Sequence, residues 1–161
     1  MKVNSFYIIK DEFFEEMQEP YLKGNKAENR PHYYCFSDDN TGLYWVIPLS
    51  HKIEKYQAFI NKRAAEGKQC DIFYIAHLDN DTDSVFTIGD MFPITKEYIL
   101  REYTIAGIPF KLTRESDINE INRRAKKVLA LLRKGVKFSG TQPDVLRIER
   151  ILLDKAGKCH E

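Results

Sequence analysis

Apolar residues recur along this chain at two spacings, every second position and every third or fourth, and the switches between them mark the predicted elements. Phe6-Tyr7-Ile8-Ile9 predicts a short first strand, after which Asp11 is placed to cap a helix carrying Phe13, Phe14 and Met17 toward Pro20. Residues 21–29 follow neither period and predict a polar loop able to close over a site. The run 30–36 enters a second strand, and residues 37–42 are turn chemistry rich in Asp and Asn. Leu43-Tyr44-Trp45-Val46-Ile47 lacks polar alternation, which predicts a strand buried on both faces and ended by Pro48. An antiparallel hairpin of these two strands brings Arg30 and His32 opposite residues 48–52.

Helical spacing then takes over. Ile53, Tyr56, Phe59 and Ile60 predict a helix over 52–66 with Ser50 in the N-cap position. Residues 71–78 and 85–88 predict a second hairpin across the acidic turn 79–83, and 89–94 returns to extended chain. Thr95 is placed to cap a short helix over 96–101, and Gly107 and Pro109 break the stretch that follows. Ile118, Ile121, Ala125, Val128, Leu129 and Leu132 predict a long helix, opened by Ser116 or Asp117 and closed at Gly135. Thr141 with Asp144 has the spacing of a capping box for a last helix bearing Val145, Ile148, Ile151 and Leu152. The expected class is α+β, an antiparallel sheet with helices, in one domain over 1–161. At 43% hydrophobic residues the chain has material for a core that needs no staples.

Composition changes this picture in three ways. The N-terminus carries no basic segment followed by an apolar stretch, and no apolar run approaches the roughly 20 residues of a membrane span, so a cytoplasmic protein is expected. Cys35, Cys70 and Cys159 are an odd number at unrelated spacings and read as reduced structural thiols. The net charge of +1 conceals an asymmetry, since residues 121–161 carry +7 and the remainder −6. A basic C-terminal quarter is either the solvated face of two helices or an electrostatic footprint for nucleic acid, with Arg123, Lys126, Lys127 and Lys137 as candidate RNA contacts.

Candidate chemistry concentrates where the buried strand hands over to the helix. Ser50, His51 and Lys52 offer a hydroxyl, an imidazole and an ammonium beside a helix N-terminus, where backbone N–H groups and the dipole favour an anion such as phosphate. Spacing alone makes Ser50 a cap followed by two exposed first-turn residues, yet two cations in a first turn are unfavourable unless an anion offsets them. His32, with Arg30 and Tyr33 beside it, has an equally plain reading as strand-edge or core residues. Metalloprotease, zinc, nucleotide-loop and nucleophile-elbow signatures are absent from the sequence, as are histidine pairs at metal-ligand spacing.

The order of these segments resembles the ToxN/AbiQ/CptN family of type III toxin-antitoxin endoribonucleases. The shared features are Arg30-Pro31 entering a strand, a turn with Gly42, then Y-x-x-x-P-L-S-x-K from Tyr44 to Lys52, and later Gly89-Asp90-Met91-Phe92-Pro93-Ile94. They follow the first strand and short helix in the family's order, and the resemblance is taken over nearly the whole chain. The resemblance implies a compact antiparallel, partly barrelled sheet similar to the Kid/MazF toxins, cleaving RNA without metal or other cofactor. It implies catalytic groups at Ser50 and Lys52 and on the strand that Arg30-Pro31 enters. It also implies an RNA antitoxin, whose repeated pseudoknot units close an assembly with the toxin, and a role in phage defence by abortive infection. His51 stands where a second hydroxyl is usual, His32 where some relatives have lysine, and Phe13 and Glu28 near positions of relatives' tyrosines. Metal-free cleavage needs a proton acceptor for the ribose 2′-OH, cations for the phosphorane and a donor for the 5′-oxygen, leaving a 2′,3′-cyclic phosphate and a 5′-hydroxyl. Lys52 suits the charge, Ser50 the positioning of phosphate, and His51 or His32 the proton. The alternative is an RNA-binding protein without catalysis. Neither DNA nor membrane is an expected partner.

Overall fold

The computed structural model describes residues 1–25, 27 and 29–158. Glu28, Cys159 and His160 therefore lie outside the described residues. In chain order the elements are β1 (Phe6–Ile9), α1 (Asp11–Met17), β2 (His32–Ser37), β3 (Tyr44–Ser50), α2 (Ile53–Ala65), β4 (Tyr74–His77), β5 (Asp83–Phe86), β6 (Phe92–Ile94), β7 (Ile99–Glu102), β8 (Thr104–Ile105), β9 (Ile108–Pro109), α3 (Glu115–Arg133) and α4 (Val145–Lys158).

Seven strands form one sheet in the order β4-β5-β3-β2-β1-β7, with β6 also paired to β3, and every described pairing is antiparallel. The α+β class is as expected. The sheet is open, with β4 and β7 at its two ends, so it does not close into a barrel. Its centre is β3, because a strand with Trp45, Val46 and Ile47 fully buried needs neighbours on both edges. One edge runs along β2; the other pairs first with β6 and then with β5. The hairpin turn before β3 uses Gly42 at φ +72°, a left-handed conformation that glycine adopts without a Cβ penalty, and its N–H donates to the Asp38 carbonyl at 2.7 Å.

Pro48 does not end β3, contrary to the sequence reading. It lies opposite His32, at the point where β3 passes from one edge partner to the next, and a residue without an N–H is tolerated there. Its carbonyl takes both the Thr87 N–H at 3.0 Å and the Thr87 hydroxyl at 2.9 Å, which ties the switch point down. Shorter departures occur elsewhere. Asp11 is the first helical residue of α1 and Lys10 its N-cap, residues 96–98 form only a 3-10 turn before β7, and Asp144 rather than Thr141 caps α4, accepting the Arg147 N–H at 3.2 Å.

The amphipathic helices cover the sheet as their spacing requires. On α3, Ile121, Ala125, Val128, Leu129 and Leu132 are buried, and on α4, Val145, Ile148 and Leu152. Arg133 bridges the two, its guanidinium donating to both Glu149 carboxylate oxygens at 2.8 and 2.9 Å. By contrast α2 buries only Tyr56, so its N-terminal end and most of its surface stand in solvent beside the end of β3. Cys35 and Cys70 are free, buried thiols, and burial pushes Cys35 up to about 12. Among the described residues no helix is long and apolar enough to cross a membrane.

Candidate active site

The junction of β3 and α2 places its polar groups by strand pairing on one side and helix initiation on the other. Ser50 is the last residue of β3, paired with Val85, and is only 6% exposed. It is not the N-cap of α2. Lys52 holds that position with its backbone, and the Lys52 N–H donates to the Ser50 side-chain oxygen at 3.2 Å. The strand thus continues one residue too far for Ser50 to cap, and its hydroxyl organises the turn instead. Among the described residues no side chain caps α2, which leaves the amide end of this helix without a side-chain acceptor from them. His51 and Lys52 are both exposed beside it.

Four further charges close around this junction. Lys55 lies in the first turn of α2. Lys23, from the 21–29 loop, donates to the Tyr56 hydroxyl at 2.8 Å and stands 3.9 Å from Asp90. The loop is anchored by Asn25, which is buried and donates its side-chain amide to the Ile9 carbonyl at 2.9 Å. Arg30 is 9% exposed, with its Nε unpartnered among the described residues; burial lowers its pKa, while Tyr56 and Asp90 act in the opposite direction. Asp90 responds inversely, raised by burial and lowered by Lys23, Arg30 and Lys55. Lysines 23, 52 and 55 with Arg30 outnumber Asp90 and the first-turn Glu54. The region attracts anions.

Two residues expected at the site are in the core. His32 is fully buried, its ring 5.5 Å from that of Phe92 and 6.2 Å from that of Phe14, and neither ring nitrogen has a hydrogen-bond partner among the described residues. Burial first, and the Arg30 charge second, push its pKa down to about 3, so it is neutral near pH 7 and sealed from solvent. It cannot exchange protons with RNA. Tyr33 is also fully buried and donates its hydroxyl to the Asn4 side chain at 2.8 Å, which removes it as an RNA contact. The hairpin register does pair His32 with Pro48 as expected, but this part of β2 is buried on both faces.

The C-terminal cations are divided. Arg123 is 2.7 Å from Glu120 and Lys127 is 2.7 Å from Asp71, so part of the +7 balance is matched within the fold. Glu120, held by Arg123 and Arg124, has its pKa lowered to about 2. Lys126 and Lys137 are exposed and make no ion pair among the described residues. Sequence reasoning missed Lys23, Lys55, Tyr56, Asp90 and Thr87. Lys55 and Tyr56 were accessible from helical spacing three and four residues beyond Lys52, whereas no local pattern links Lys23 or Thr87 to this place. Among the described residues no three His, Cys, Asp or Glu side chains group to hold a metal ion.

A seven-stranded open antiparallel sheet, flanked by helices and carrying a polar strand-to-helix junction at its centre, defines the structural class. The solved structure of AbiQ, a lactococcal anti-phage endoribonuclease belonging to the type III toxin-antitoxin system, shares this fold with a TM-score of 0.71. The match covers 98% of this chain and 99% of that one at 15% sequence identity. No family model matches the sequence, and no curated protein does.

Proposed function

We propose that this chain is the toxin of a type III toxin-antitoxin system, an endoribonuclease that cleaves RNA by attack of a ribose 2′-OH on the adjacent phosphate. The observation that carries the reading is the junction itself, where Ser50, His51 and Lys52 meet an uncapped helix N-terminus. Its occurrence in a fold shared with AbiQ adds support.

In this mechanism the scissile phosphate sits against the N-terminus of α2. Ser50 already accepts the Lys52 N–H, which leaves its hydroxyl proton free to donate to a non-bridging phosphate oxygen. Lys52 and the amide end of α2 supply positive potential where the phosphorane gathers charge, and Arg30, close enough to interact with Tyr56 and Asp90, adds to it. His51 is the remaining histidine at the junction and takes the 2′-OH proton, imidazole being suited to exchange near neutral pH. The new bond joins O2′ to phosphorus, the P–O5′ bond breaks, and the leaving 5′-oxygen takes its proton from water, while the proton of the 2′-OH stays on His51 until it is released to solvent. The products are a 2′,3′-cyclic phosphate and a 5′-hydroxyl, and the protein's own groups provide all the charge this reaction requires.

An RNA antitoxin of repeated pseudoknot units, closing an assembly with the toxin, restrains this activity, and its loss during phage infection gives abortive defence. Expression of the protein alone in growing cells, followed by mapping of RNA ends, tests the reading, with the purified protein assayed in EDTA as the control for metal. New cyclic-phosphate ends in both experiments are expected. RNA binding without new ends would replace the nuclease with a binding protein.

A further inference from the structure

We infer that a cleft beside the α2 N-terminus binds one unpaired base of the RNA and selects guanine. This deepens the endoribonuclease reading and rests on it. The cleft has a volume of about 430 Å³, within the usual range for small-ligand sites, and lies between α2, the 88–90 turn and the connection from α3 to α4. It joins the junction directly, because Lys55 lines both the cleft and the open recess bounded by His51 and Lys52.

Its walls are aromatic. Phe73 stands at the back, with ring centroids 4.5 Å from Tyr56 and 5.1 Å from Phe59. Six large apolar side chains are left exposed among the described residues, and the two aromatic ones, Tyr21 at 45% and Phe59 at 39%, both line this cleft. Rings left this exposed beside one recess, Phe59 keeping only its edge contact with Phe73 among the aromatic pairs of the described residues, are the surface on which RNA-binding proteins stack unpaired bases. Lys23 and Lys55 at the same cleft match the phosphates on either side of a base.

The polar groups set the preference. Asp90 presents a carboxylate, which accepts only, and among the described residues its one ion pair is a loose 3.9 Å contact with Lys23. Gln142 donates one of its two amide N–H groups to the Gly89 carbonyl at 2.8 Å, and its carbonyl oxygen makes no hydrogen bond among the described residues. Among the polar groups of the cleft, which include hydroxyls and ammonium groups as well, the Asp90 carboxylate is the one that can accept from two adjacent donors of a base at once. Guanine offers two adjacent donors, N1–H and the N2 amino group, to one carboxylate; adenine, cytosine and uracil each offer a single donor group on that edge.

Titration calorimetry with the four nucleoside 5′-monophosphates tests this without needing cleavage. The wild-type protein should bind guanosine monophosphate most tightly, Phe59→Ala should weaken that binding about tenfold or more, and Asp90→Asn should level the four nucleotides. Phe59 is exposed enough that its truncation leaves the fold intact. Equal binding of all four, no binding at millimolar concentration, or full affinity in Phe59→Ala would each overturn the inference. Cleavage of random-sequence RNA separates it from the reading beneath it. Guanine enriched at one fixed position from the cut, and lost in Asp90→Asn, supports both. Cleavage with no guanine preference overturns the cleft assignment and leaves the nuclease standing. Guanosine monophosphate binding without cleavage supports the cleft and removes the nuclease.

Discussion

The Ser50 side-chain oxygen accepts the Lys52 N–H at 3.2 Å, so a buried strand end fixes the backbone from which an exposed cation projects. Charge and position at this junction are therefore separable by mutation. Lys52→Ala should lower RNA cleavage by about 100- to 1000-fold, or roughly 3 to 4 kcal/mol of barrier, with an unchanged melting temperature, since the side chain is exposed and its backbone contact survives. A cleavage rate close to wild type in folded Lys52→Ala protein would return the cluster to a purely structural role.

The two histidines are expected to behave oppositely. His51→Ala should lose most cleavage near neutral pH, and the rate that remains should no longer follow the wild-type pH–rate profile. His32→Phe, with an apolar ring set between Phe14 and Phe92, should keep both the rate and the profile. Comparing the two profiles decides which imidazole moves the proton.

His32 also makes stability depend on pH. Its folded pKa lies at about 3, below the ordinary histidine value of about 6.5, so the unfolded chain takes up a proton that the folded chain refuses. Its neutral burial carries no titration penalty above the unfolded value. As pH falls from there toward 3, the penalty grows by up to about 1.4 kcal/mol per unit. Denaturant melts between pH 7 and pH 4 should show this slope in the wild type and a shallower one in His32→Phe. Equal slopes would mean that His32 opens to solvent before the fold is lost.

Arg133→Ala should cost roughly 1 to 3 kcal/mol, because it leaves the Glu149 carboxylate buried without its two donors. The readout is a chemical-denaturation midpoint. RNA cleavage at a temperature where the variant is folded should be unaffected, as Arg133 and Glu149 line neither the cleft beside α2 nor the recess bounded by His51 and Lys52.

Antitoxin binding should depend on the cations that the fold leaves unpaired. Reversing Lys126 and Lys137 to Glu is expected to weaken RNA affinity and flatten its salt dependence, each lost phosphate contact removing released counterions. Reversing Arg123 and Lys127 should in addition disturb the Glu120 and Asp71 pairs and lower stability. A salt slope unchanged in the first pair would place the antitoxin elsewhere on the surface.

The sequence by itself determined the strongly periodic elements: β1, the β2–β3 hairpin, α2, α3 and α4 were all legible, because amphipathic spacing and turn residues are local properties. The order of the segments around 30–31, 44–52 and 89–94 likewise pointed to the fold that AbiQ shares. Local pattern could not say which face of a strand meets solvent. His32 lies opposite Pro48 in register as expected, yet β2 is covered on both faces from His32 to Cys35, so its ring is enclosed by packing from elements distant in sequence. Nor could it show that β3 runs through Pro48, since that depends on Thr87 arriving from 39 residues away to hold the Pro48 carbonyl. The extension of β3 takes Ser50 out of the cap position, and only three-dimensional folding brings Lys23, Arg30 and Asp90 around α2, because charges distant in sequence become neighbours through strand pairing and not through spacing.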